Sequence, residues 1–155
     1  MSRVAIAALL APALVACASS PGPESALQTL QRDAHGLADG VTETAYLPVL
    51  ADSPEDAWGR VVRARTGKLL EESRVLAATF EPASRESVEV VVGGPYPQLV
   101  EQVMLDALAI TPRARLTGLR VVLISREPPS AKLRQALDAS QAAWVHGPWQ
   151  EPLPE

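Results

Sequence analysis

Two short runs, Ser87–Val92 (Ser-Val-Glu-Val-Val-Val) and Leu119–Ser125 (Leu-Arg-Val-Val-Leu-Ile-Ser), are almost continuously apolar and rich in β-branched residues. A strand with one wet face alternates apolar and polar residues, whereas a strand covered on both faces does not need to. Between the runs, Gly93-Gly94-Pro95-Tyr96-Pro97 supplies a tight turn. The segment from there to Ile110 then places Leu99, Val100, Val103, Met104, Ala107 and Leu108 on one helical stripe, with Gln98, Glu101, Gln102 and Asp106 polar. Strand, turn, helix, strand within some 40 residues makes the two strands parallel, because a crossover through a helix is right-handed and returns in the same direction. Pro128-Pro129-Ser130 opens a further helix with Leu133, Ala136, Leu137, Ser140 and Trp144 on one face, and Ala143–His146 reads as a short last strand.

The first half is less regular. Leu27, Leu30, Ala34, Leu37 and Ala38 recur at spacings of three and four across Glu24–Asp39, an amphipathic helix with Gly40 as its stop. Thr42–Leu50 is rich in strand formers, and Pro48 places it at an edge or a strand end. Ser53-Pro54-Glu55-Asp56 is a strong helix start: a hydroxyl N-cap, a proline where no N–H is needed, and carboxylates at the positive end of the dipole. Trp58, Val61, Val62, Leu69 and Leu70 are the expected buried face of that helix, with Gly67 as a break. Arg74–Phe80 fits helix and strand equally. The expected fold is an α/β domain with a short, at least partly parallel sheet flanked by helices; the alternative is α+β, with the Thr42 strand antiparallel at one edge.

Arg3 followed by the apolar run Val4–Val15 has the form of a secretory signal, and a dozen residues fall short of the roughly 20 that span a bilayer. Leu14-Val15-Ala16-Cys17, which follows, resembles the lipobox of bacterial lipoproteins. The resemblance covers only the first 17 residues. It implies diacylglycerol on the Cys17 thiol, cleavage between Ala16 and Cys17, and acylation of the freed amine. Two or more acyl chains anchor stably where one does not. The implied organisation is a signal peptide over residues 1–16, a lipidated tether over 17–23 (Cys-Ala-Ser-Ser-Pro-Gly-Pro), a single α/β domain over 24–147 and a proline-rich tail over 148–155. In the enterobacterial pattern, Ala18 after the cysteine implies transfer to the outer membrane, facing the periplasm.

Cys17 is the sole cysteine, so no intramolecular disulfide is open to the domain, and the 139 residues after the cut must be held by their core alone. The precursor carries a net charge of −4, and loss of Arg3 makes the remainder more acidic still. This balance argues against a bulk electrostatic attraction to nucleic acid or anionic lipid, and no aromatic interleaving among the basic residues supports a nucleic-acid groove.

No residue set has the pattern of a catalytic or metal centre. The two histidines lie in no nucleophile, zinc or triad arrangement; His35 neighbours Asp33 and Asp39 on a helix, and His146 lies between Trp144 and Trp149, as a small aromatic patch or a packed chain end. Arg60, Arg63, Arg65 and Lys68 cluster on one helix, where Glu55, Asp56, Glu71 and Glu72 offset them as on a solvated face, and Arg113, Arg115 and Arg120 cluster around a loop. If the sheet is parallel, Gly93, Gly94 and Tyr96 share its carboxyl-end rim with Ser125 and Arg126, the place where open α/β sheets bind ligands. Gly-Gly before a helix can offer N–H groups to an anion, although the spacing is neither a Rossmann fingerprint nor a P-loop. Two functions follow from these readings. One is a lipid-anchored, non-enzymatic accessory or docking subunit of an envelope complex, with the membrane and an envelope protein as partners and no cofactor beyond the lipid. The other is a small-ligand-binding or weakly catalytic domain using the Gly93-Gly94/Ser125 rim.

Overall fold

Each apolar run forms a five-residue strand, and the two are paired in parallel, in the register Glu89↔Arg120 to Gly93↔Ile124. The computed structural model describes residues 22–37, 43–111 and 116–150. The signal segment, residues 17–21 of the tether with Cys17, the Gly40 stop, Arg113, Arg115 and residues 151–155 lie outside these. The described elements run α1 (Pro23–Ala34), β1 (Thr44–Pro48), α2 (Pro54–Arg65), α3 (Glu71–Glu86), β2 (Glu89–Gly93), α4 (Pro97–Ile110), β3 (Arg120–Ile124), α5 (Ala131–Ser140) and β4 (Ala143–Gly147).

The four strands lie in chain order, β1-β2-β3-β4, and every pairing is parallel. The chain is therefore an α/β domain, and the Thr42 segment contributes a parallel edge strand where an antiparallel one was the alternative. Right-handed crossovers that always step in the same direction return their helices to the same face. Accordingly Val90, Val92, Val121 and Leu123 point into one large core with α2, α3, α4 and α5, while Val91, Val122 and Ile124 point the opposite way, into a smaller core under α1. The result has three layers, with α1 the one helix on its side among the described residues.

Arg74–Phe80, which fitted both helix and strand, is helical. Ser73, Leu76, Phe80, Ala83 and Ser84 of α3 are buried, a spacing of three, four, three and one that only a helix puts on one side. α2 starts as expected, with the Ser53 hydroxyl accepting from the Asp56 amide at 3.0 Å. Its buried face differs from expectation: Ala57, Val61 and Ala64 face the core, whereas Trp58 and Val62 are exposed. Alanines at 57 and 64 let the helix approach α4 closely, and the larger side chains beside them are turned out.

One charged pair is built into the sheet. Glu89 is 2% exposed and meets its cross-strand partner Arg120 at 2.6 Å on the α1 face; Arg120 also donates to the Leu37 carbonyl at 2.9 Å. Beyond β4, Trp149 is buried against Ala26, Leu30 and Ala34, and the Gln150 amide donates to Asp33 at 3.0 Å. The folded unit thus continues past Gly147 to Gln150.

Candidate functional site

The parallel sheet brings Gly93, Gly94, Tyr96, Ser125 and Arg126 to its carboxyl-end rim, but not as an open crevice. Ligand crevices in open α/β sheets form where the strand order reverses and successive crossovers leave on opposite faces. A sheet ordered β1-β2-β3-β4 has no such reversal. The rim is also bridged by α2. Arg60 donates to the Leu50 carbonyl just past β1 and pairs with Glu72 at the start of α3, while the Arg65 Nε donates to Gln102 of α4 at 3.3 Å.

The two glycines serve close packing here. A Cβ on Gly94 would overlap the Val49 carbonyl oxygen, and one on Gly93 would overlap the Ile124 carbonyl and lie 2.8 Å from Leu30 Cδ1. The Gly94 amide is already spent on the Ile124 carbonyl at 3.1 Å. Tyr96 is buried and Arg126 is exposed. What remains open beside Ser125 is a crevice of about 100 Å³, lined among others by Arg65, Gln98, Glu101 and Glu127.

Tertiary structure adds a pairing that the sequence did not suggest: Ser125 Oγ lies 3.2 Å from His146 Nε2. A serine beside a histidine invites a nucleophile–base reading, and the surrounding bonds decide against it. His146 Nε2 is also 3.1 Å from the Ser125 carbonyl, which can only accept, so this nitrogen carries the proton. Ser125 Oγ in turn donates to the Glu127 carbonyl at 2.7 Å. The imidazole therefore has no lone pair facing the hydroxyl, and the pair acts as a latch between the ends of β3 and β4.

Glu101, which showed no special partner in the sequence, accepts from both the Ser130 amide and the Ser130 hydroxyl, while that hydroxyl caps α5 by accepting from the Leu133 amide at 3.2 Å. These residues are 29 apart, and no local pattern announces them. His35 is exposed just beyond α1. Trp144 and Trp149 do not form an aromatic patch around His146: Trp144 packs on the large core with its indole N–H donating to Asp138 at 3.0 Å, and Trp149 belongs to the α1 core.

A second concavity, about 410 Å³, opens between α4 and α5, with Leu105, Leu108, Ala136 and Ala139 in its walls and Asp106 and Lys132 at its polar side. Burial pushes the Asp106 carboxyl above its ordinary value, outweighing the Gln102 hydrogen bond and the nearby Lys132 charge, both of which lower it. Among the described residues no three His, Cys, Asp or Glu side chains converge on a common point. Set against models of protein families, curated proteins and solved structures, the chain matches none of them.

Proposed function

We propose that the chain is a bacterial lipoprotein, cut before Cys17, acylated on that residue, and held on the envelope membrane as a non-enzymatic docking or accessory subunit of an envelope complex. The observation that carries this reading is Leu14-Val15-Ala16-Cys17, in which the only cysteine of the chain closes a lipobox directly after an apolar run. Three features of the domain are in keeping with it. The rim is bridged by α2, the Ser125–His146 pair lacks a base, and no described helix is long and apolar enough to cross a membrane.

Intact mass and detergent partitioning of the membrane fraction test the proposal directly. Wild type carries acyl chains and enters the detergent phase; Cys17→Ala gains no lipid mass and keeps its signal segment. A wild type that is unmodified and partitions with water sinks the reading, whatever the domain binds.

A further inference from the structure

The two edges of the sheet are not alike. In β1 the Val49 amide and the Glu43 carbonyl both bond to β2, so by the alternation of a strand Thr44, Tyr46 and Pro48 turn their main-chain groups outward, and Pro48 has no N–H to offer there. In β4 the Ala143 amide bonds to the Leu119 carbonyl and the Gly147 carbonyl accepts from the Ser125 amide, so Trp144 and His146 carry the outward groups, one N–H and one C=O each. β4 (Ala-Trp-Val-His-Gly) has no proline, no Asp, Glu, Lys or Arg, and no bulge in its register, the devices with which proteins blunt an exposed edge. Among the described residues the chain beyond β4 does not cover it: the Trp149 amide turns back to the Ser125 carbonyl at 3.3 Å, and the Gln150 amide goes to Asp33 of α1.

We infer that β4 pairs with β4 of a second copy, antiparallel about a two-fold axis that passes through Val145 normal to the sheet, joining two four-stranded sheets into one. Trp144 and the partner's His146 then exchange both of their main-chain hydrogen bonds, His146 and the partner's Trp144 do the same, and Val145 meets its own copy at the closely spaced, non-bonded position. Trp144 and His146 lie on the α5 face, in register with Val121 and Leu123, and Val145 lies on the α1 face; all three are half-buried in the single chain. Pairing sets an indole beside an imidazole on one face and valine against valine on the other, contacts that stabilise antiparallel pairs.

Charge on α5 singles out a second copy as the occupant. The Trp144 indole N–H donates to Asp138, which fixes Asp138 on the β4 side of α5 and level with Trp144. Arg134 lies one turn earlier on the same side, about 6 Å along the helix axis. α5 runs antiparallel to β4, as the helix of a parallel crossover does, and two strand residues span about 6–7 Å, so Arg134 is level with His146. The midpoint between Arg134 and Asp138 is therefore level with Val145, the centre of the strand pair. A two-fold axis there sets each Arg134 against the partner's Asp138 and brings no like charges together. Both residues are exposed, and neither has an ion partner among the described residues of its own chain. A strand from another protein would satisfy the β4 edge but gives no reason for opposite charges centred on the same residue.

The test is disulfide crosslinking of the full-length chain purified in detergent and carrying Cys17→Ala, so that Val145→Cys supplies the only thiol and the outcome does not depend on the lipid anchor. At a non-bonded antiparallel pair the Cα atoms are about 4.5 Å apart, within disulfide range. Mild oxidation is expected to convert most of the Val145→Cys protein into a disulfide-linked dimer, while Thr44→Cys on the opposite edge stays largely monomeric. Adding Arg134→Asp or Asp138→Arg alone sets like charges together and is expected to lower the crosslinked fraction severalfold; the two combined restore it, which damage to the fold would not. Val145→Cys that crosslinks no better than Thr44→Cys overturns the inference and leaves the edge to a strand of another protein. Crosslinking that neither single charge reversal lowers overturns the two-fold register.

Discussion

Asp106 shows how one side chain carries a measurable pH signature. Its carboxyl is raised above the ordinary 3.8 chiefly by burial. The folded state therefore binds its proton more tightly than the unfolded state does, so this residue's contribution to stability falls as pH rises from about 3.8 through the raised folded value, and stays at its lower level above it. Asp106→Asn keeps an acceptor for the Gln102 amide, which donates to Asp106 at 3.0 Å, and removes the charge. The variant is expected to melt higher than wild type at pH 7, and the difference is expected to vanish at about pH 3; thermal unfolding across that range checks both. Gly94 makes the opposite point about single residues. Its missing Cβ makes room for the Val49 carbonyl, so a Gly94→Val change reports on folding rather than on a ligand. Sequence alone showed a glycine pair before a helix, a pattern shared by anion-binding loops and by plain close packing. Only the neighbouring backbone separates the two.

Among the elements, those with the strongest local signals appear where the pattern places them. β2 and β3 follow the two apolar runs, α2 begins at its Ser53 cap, and Ser130 caps α5 in the same way. The buried face of α2 was not legible, because Ala57, Val61 and Ala64 form one apolar stripe and Trp58, Val62 and Arg65 a neighbouring one. Propensity does not rank two such stripes; the close approach to α4 favours the small one. α5 depends on a contact of the same long-range kind. Replacing Glu101 with alanine removes the acceptor for both the Ser130 amide and hydroxyl, while the Ser130 cap on the Leu133 amide stays. The expected loss is about 1–2 kcal/mol of stability. Hydrogen exchange at the first turn of α5 is expected to quicken before that of α4, and unchanged protection there would refute the assignment.

At the scale of the whole fold, α1 is the one helix among the described residues that covers its face of the sheet, and Trp149 completes that cover. Trp149 is 3% exposed against α1, yet its indole nitrogen is buried without a hydrogen-bond partner among the described residues. Trp149→Ala is expected to cost about 3–5 kcal/mol by opening a cavity under α1. Trp149→Phe is expected to cost far less, since it keeps much of the ring and removes the unpaired N–H. Denaturant unfolding of both variants separates packing from polar burial, and equal losses would count against that division. The sequence by itself determined the strands, most helix starts and the parallel sense of β2 and β3, because each depends on neighbours a few residues apart. The tertiary structure alone decided the unreversed strand order, the bridging of the rim by α2, the Ser125–His146 latch, the Glu101 link to α5 and the outward turn of Trp58. These depend on groups that are distant in the chain and become neighbours only when the layers pack.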